Sequence, residues 1–181
     1  MNNQEIELKY LINCIPDICK DYIYIDQYYF KLNSENEKVL KSLFPDVSLD
    51  EISTFRIRDI ISESGRYYVV TLKTKGTISR NEYEVKTKNK NIFDLLTASD
   101  VTSRIIKNRY IYKYDNYTYE FDEYLNLNSK LYTVEVEFDS IDDLNNKKPL
   151  IEKALKEFFK VNYSDVTFDN RYKNSNLHKY F

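Results

Sequence analysis

From Arg80 to Lys86 every second residue is ionised: Arg80, Glu82, Glu84 and Lys86 alternate with Asn81, Tyr83 and Val85. Residues two apart in an extended chain point to one side. This stretch is therefore expected to be a strand with one fully charged face and an opposite face carrying Tyr83 and Val85. The arrangement recurs along the chain. Glu5, Glu7 and Lys9 oppose Ile6, Leu8 and Tyr10; Arg56 and Arg58 oppose Phe55 and Ile57; Thr71, Lys73 and Lys75 oppose Val70 and Leu72. Lys107 and Arg109 oppose Ile106 and Tyr110, and Glu135 and Glu137 oppose Val134, Val136 and Phe138, with Asp122 able to join the charged side if its register allows. The plain reading of any one strand is a solvated polar face. Like charges side by side on an exposed face are unfavourable, however, and Glu5 and Glu7 lie only about 7 Å apart at a rise of about 3.3 Å per residue. Six strands repeating the pattern suit a sheet closed on itself, with basic and acidic strands opposed across a channel and helices on the apolar outside.

Strands are expected at residues 4–12, 22–31, 54–61, 66–75, 80–88, 104–114, 117–125 and 131–138. Eighteen Tyr and 10 Phe against 2 Gly and 3 Pro favour strands over loops. Asp115-Asn116, Ser64-Gly65 and Lys75-Gly76-Thr77 read as tight turns of an antiparallel meander. Helices are expected at Ser34 to Phe44, capped by Ser34 with Glu37 three residues on; at Ile92 to Ala98; and at Pro149 to Val161. The last has Pro149 near its first turn and a stripe of Leu150, Ile151, Ala154, Leu155, Phe158 and Phe159. The 181 residues are expected to form a single domain spanning 1–181.

Burying that many ions requires partners. The basic set suits a multiply charged anion, Arg in particular binding phosphate with two nitrogens, and the carboxylates suit hard divalent ions. Together they point to a polyphosphate with Mg²⁺ or Mn²⁺. Glycine-rich phosphate loops are missing from the sequence, which excludes a P-loop enzyme. His178 is the only histidine, which excludes a multi-His zinc site. With 27 basic and 29 acidic residues the net charge of −2 gives no reason to expect nucleic acid as a partner, and no apolar run is long enough to span a bilayer. Cys14 and Cys19 lack zinc or redox spacing and are expected to stay reduced in the cytoplasm.

Glu5-Ile-Glu7-Leu-Lys9 resembles the ExExK signature of the CYTH superfamily, the triphosphate tunnel metalloenzymes. Further motifs follow in that family's order: Gln27-Tyr28-Tyr29-Phe30, Arg56-Ile-Arg58, Thr71-Leu-Lys73, Arg80-Asn-Glu82-Tyr-Glu84, Lys107-Asn-Arg109, Phe121-Asp122 and Glu135-Val-Glu137. The tail from Val166 through Arg171-Tyr172-Lys-Asn174-Ser175 to Leu177 is similar to the ending of bacterial members. The resemblance implies a mainly β fold, a closed eight-stranded antiparallel tunnel with helices outside, and metal-dependent hydrolysis of a triphosphate, tripolyphosphate first. It implies phosphate binding by Lys9, Arg56, Arg58, Lys73, Arg80, Lys107 and Arg109, and metal binding by Glu5, Glu7, Asp122, Glu135 and Glu137. Catalytic roles fall to Lys9, Tyr29, Glu82 and Glu84, although a core aromatic is the competing reading of Tyr29. Alternatives are a class IV-type adenylate cyclase, a nucleoside or thiamine triphosphatase, and a binding-only polyphosphate sensor. Two departures stand out: Tyr28 where the family has Gly, and a longer segment between Phe30 and Arg56 that leaves open a lid or a partner surface. The oligomeric state is not legible.

Overall fold

The computed structural model describes residues 3–76, 79–98 and 100–181. Eight strands close into an antiparallel barrel: β1 (Asn3–Ile12), β2 (Ile23–Phe30), β3 (Ile52–Ser62), β4 (Gly65–Thr74), β5 (Ser79–Thr87), β6 (Val101–Tyr114), β7 (Tyr117–Tyr124) and β8 (Tyr132–Glu137). Their order is β5-β4-β3-β2-β6-β7-β8-β1, and β1 returns to pair with β5 through Glu5↔Arg80. A short β9 (Tyr163–Asp165) adds to the same edge of β1 beyond that closure, opposite Tyr10–Ile12. The alternation therefore specifies the strands and their faces well.

Turn chemistry sets the hairpins. Asp115 and Asn116 have φ of 49° and 67°, the left-handed pair that a two-residue hairpin needs to match strand twist. Gly65, at φ +100°, starts β4 in a conformation that side chains other than hydrogen rarely tolerate. Thr77, expected in the third turn, lies outside the described residues.

Three helices cover the outside: α1 (Ser34–Leu43), α2 (Lys90–Thr97) and α3 (Ile141–Glu157). The cap of α1 is Asn33 rather than Ser34. Its side chain accepts from the Glu35 and Asn36 amides while Asn36 Oδ1 accepts from the Asn33 amide, so the expected box is shifted by one residue. Leu40 and Phe44 pack with Phe30, Leu49, Ile52, Ile57, Val70 and Leu72, so the helical part of the 31–55 segment covers the barrel wall. The third helix differs most from expectation. It begins eight residues before Pro149, capped by Ser140, whose side chain accepts from the Asp143 amide; Pro149 stands in its interior, on the exposed side. Leu150 is exposed, while Ile151, Ala154 and Leu155 bury against Ile6, Leu8, Tyr119, Phe121, Val134 and Val136. Each such side chain contributes about 1.5–3 kcal/mol by leaving water, which outweighs the missing Pro149 amide bond.

Candidate active site in the barrel interior

The strand faces that carry charge all point inward, and pairing brings them into register. Lys9 is opposite Glu135, Glu7 opposite Glu137, Lys73 opposite Glu82, and Arg109 opposite Asp122. They enclose a cavity of about 440 Å³. Its lining includes Lys9, Arg56, Arg58, Lys73, Arg80, Lys107 and Arg109 with Glu5, Glu7, Glu82, Glu84, Glu135 and Glu137, and Tyr29 and Gln27 between them. Thus nearly every residue singled out from the sequence meets in one chamber.

Two ion-paired layers hold the basic groups. Arg56 contacts Glu82 at 3.2 Å and Glu84 at 3.4 Å, Arg58 pairs with Glu84, and Thr71 Oγ1 accepts from Arg56 at 3.2 Å and donates to Glu84 at 2.7 Å. Lys73 reaches Glu5 at 2.5 Å and Arg80 Nε reaches it at 2.7 Å. On the other wall Lys9 Nζ lies 2.9 Å from Glu135, and Arg109 joins Glu120, Asp122 and Glu135. The Nε groups of Arg56 and Arg58 are buried and have no partner among the described residues. Buried guanidinium donors left unpaired are costly.

These environments displace protonation equilibria. Burial would raise Glu135, but Lys9 and Arg109 outweigh it and hold this carboxyl well below the usual range. Burial would likewise raise Glu5, which Lys73 and Arg80 bring below normal. Glu7 is instead pushed up to about 8 by burial and by the Glu135 and Glu5 carboxylates. Glu137 rises to about 7 through burial and Glu120. Lys107 drops to about 8 because it is buried beside Arg109, with Asp122 opposing the drop. Arg58 falls to about 10 through burial and Arg56.

Asp122, expected to hold metal, is fully buried behind the cavity wall, where Lys107 Nζ approaches at 2.5 Å and Arg109 at 2.6 and 2.7 Å. Its lone pairs are taken by these cations, so it orients them. Glu135 is similarly engaged by Lys9 and Arg109. The carboxylates that converge are Glu5, Glu7 and Glu137, each with an oxygen within 4.8 Å of the others. An all-oxygen set in which two members have raised pKa values suits a hard divalent ion, because the ion removes the repulsion that keeps them protonated. Lys75 and Lys86, expected inside from alternation, are not among the lining residues, and Lys86 Nζ sits 3.5 Å above the Tyr67 ring. Glu120, Asp169 and Lys173 also join the lining. Glu120 was missed by the sequence reading, although standing two residues before Asp122 puts it on the same strand face. For the tail residues Thr167, Tyr172, Lys173, Asn174 and Ser175, which also line the cavity, no periodicity signals a position.

The site is thus a closed barrel lined with opposed ions and a converging carboxylate trio. The CYTH domain model matches residues 3–172, and the chain belongs to that family. It is 32% identical over 152 residues to the inorganic triphosphatase of Nitrosomonas europaea, covering 77% of this chain and 93% of that one. The crystal structure of the inorganic triphosphatase NE1496 superposes with a TM-score of 0.55 at 27% identity, over 98% of this chain and 95% of that chain. A candidate adenylate cyclase of Bacillus halodurans shares the fold at a TM-score of 0.58 and 17% identity, over 84% of this chain and 89% of that one. No helix among the described residues is long and apolar enough to cross a membrane.

Proposed function

We propose that the chain is a divalent-metal-dependent triphosphatase that hydrolyses inorganic tripolyphosphate to diphosphate and phosphate. The observation that carries this reading is the enclosure of many basic side chains and a converging carboxylate trio in one chamber. A multiply charged anion meets Arg56, Arg58, Lys73, Lys107 and Arg109 there, and the trio of Glu5, Glu7 and Glu137 offers oxygen ligands to an accompanying cation. Glu5, Glu7 and Glu137 would hold Mg²⁺ or Mn²⁺. When bound, such an ion offsets charge on the phosphoryl oxygens as a Lewis acid. The Nitrosomonas europaea relative, an inorganic triphosphatase, supports the same substrate class.

Within that reading Arg56 and Arg58 grip phosphoryl oxygens while Glu82 and Glu84 set their direction. Lys73, Arg80, Lys107 and Arg109 extend the cationic wall, so charge developing during transfer meets dipoles and ions already in place. Tyr29 is buried, and its hydroxyl accepts from Gln27 Nε2 at 2.8 Å. Burial raises its pKa against the opposing pull of Arg56, so the phenol keeps its proton and donates a hydrogen bond to a bridging phosphate oxygen. Lys9, kept charged because Glu135 and Tyr124 overcome the effect of burial, stabilises the reacting phosphoryl group. Cys14 and Cys19 are both free thiols.

The test is phosphate release from tripolyphosphate, ATP and thiamine triphosphate with Mg²⁺ or Mn²⁺, by wild type, Glu7→Gln and Arg58→Ala. Turnover of tripolyphosphate lost in both variants is expected. Cyclic AMP from ATP would replace hydrolysis by cyclisation, and tight binding without any turnover would make the protein a sensor.

A further inference from the structure

The last sixteen residues lie outside the eight barrel strands but form part of the chamber wall. They start against β1, where the Val166 amide donates to the Lys9 carbonyl at 2.9 Å. Thr167 Oγ1 accepts from the Lys9 amide at 3.0 Å and donates to its carbonyl at 3.3 Å. Leu177, fully buried, anchors the far end among Ile105, Tyr124 and Leu131, and Ser103 Oγ meets His178 Nδ1 at 2.9 Å. Between these anchors Asn174 enters the cavity. Its Oδ1 accepts from Tyr124 at 2.6 Å and from Lys9 Nζ at 3.1 Å, using both lone pairs of the amide oxygen.

The ammonium of Lys9 thus has three acceptors for three N–H bonds: Glu135 at 2.9 Å, Asn174 at 3.1 Å and Tyr124 at 3.5 Å. A free lysine side chain samples many rotamers, and these contacts restrict that freedom before any substrate arrives. Glu135 also serves Arg109, and Tyr124 stands farther off at 3.5 Å and itself donates to Asn174, so Asn174 is the nearer of the acceptors that Lys9 does not share with Arg109. We propose that Asn174 is a positioning residue: the C-terminal strap, through this one amide oxygen, fixes the Lys9 ammonium for catalysis. Its kinetic consequence rests on the triphosphatase reading; its structural content does not.

Two readouts separate these. In ¹⁵N-lysine-labelled protein without substrate, the Lys9 ammonium resonance of Asn174→Leu should broaden towards fast solvent exchange, whereas Asn174→Asp, which retains the acceptor oxygen, should keep it sharp. In steady-state hydrolysis of tripolyphosphate, Asn174→Leu should lower kcat by about 10- to 50-fold with KM changed less than about threefold, the signature of a misplaced group rather than lost binding. On a Lys9→Met background, which preserves the stem, the same substitution should change kcat less than about twofold, since coupled residues are not additive. An unaltered Lys9 resonance in Asn174→Leu overturns the proposal, as does a full additional loss on the Lys9→Met background. A wild-type protein inert towards tripolyphosphate would end the triphosphatase reading, while the resonance would still decide the role of Asn174.

Discussion

Replacing Asp122 by Asn tests the assignment of this carboxylate as a counter-ion against the expectation that it binds metal. The residue is 0% exposed, and its two oxygens neutralise Lys107 and Arg109. Arg109 keeps Glu120 and Glu135 after the substitution, but Lys107, itself only 2% exposed, loses its ion pair with Asp122. Removing one partner of a buried pair typically costs about 3–5 kcal/mol, because the remaining charge is left in a low dielectric. Asn retains an acceptor oxygen, so a value near about 3 kcal/mol is expected, or a Tm lowered by about 6–12 °C for a chain of this size. Lys107 already titrates near 8, since burial and Arg109 outweigh Asp122; without that carboxylate it should lose its proton near neutrality. Differential scanning fluorimetry of the metal-free protein measures the loss. Tripolyphosphate should recover part of it by bringing negative charge to the same wall. A Tm within about 2 °C of wild type, with Mg²⁺ affinity sharply reduced, would show that Asp122 is a ligand after all.

Other consequences can be checked by the same methods. Glu7 and Glu137 titrate near 8 and 7 for reasons of burial and neighbouring carboxylates, so the folded state holds protons that the unfolded chain has released. Stability of the metal-free protein therefore falls as pH rises from the ordinary carboxylate range towards about 8; a divalent ion must displace those protons, so its thermal stabilisation should grow between about pH 6 and about pH 8. An equal shift at both ends would contradict the assignment of these two groups. Pro149→Ala should raise the Tm, because it restores an amide donor in the exposed interior of α3, where proline is about 3 kcal/mol worse than alanine; a lower Tm would mean that proline shapes the helix usefully. Gly65→Ala meets nothing within 4 Å of its added carbon, so its expected cost, about 1 kcal/mol or a Tm loss of about 2–4 °C, is purely that of a positive φ. An unchanged Tm would show that the turn relaxes.

What the sequence discloses here is what alternation can encode. A period of two fixes which side of a strand a residue takes, and pairing then brings Glu5, Arg58, Lys107 and Glu135 together without further instruction. Alternation cannot say how far along the barrel a charge stands, which is why Lys86 was expected inside although it lies over Tyr67. Nor can it distinguish an inward carboxylate facing the cavity from one sealed by two cations, as Asp122 shows. Helix starts depend on a single side chain finding an amide. Asn33 and Ser140 each did so, at positions that an apolar stripe leaves undetermined. The tail has no period at all, and its contribution comes from tertiary anchoring at Thr167 and Leu177.

The double engagement of β1 has a consequence for biosynthesis. One edge of the strand joins residues 79–82 and the other joins residues 132–137, so Glu7 meets Glu137 only across most of the chain. Such distant pairings are slow to form and leave sheet edges open meanwhile. As the polypeptide leaves the ribosome, Glu5 and Glu7 must wait until residues 132–137 have been made before Glu137 can join them. A chain that stops short of β8 therefore lacks the carboxylate cluster by topology, with no separate device needed to keep it apart.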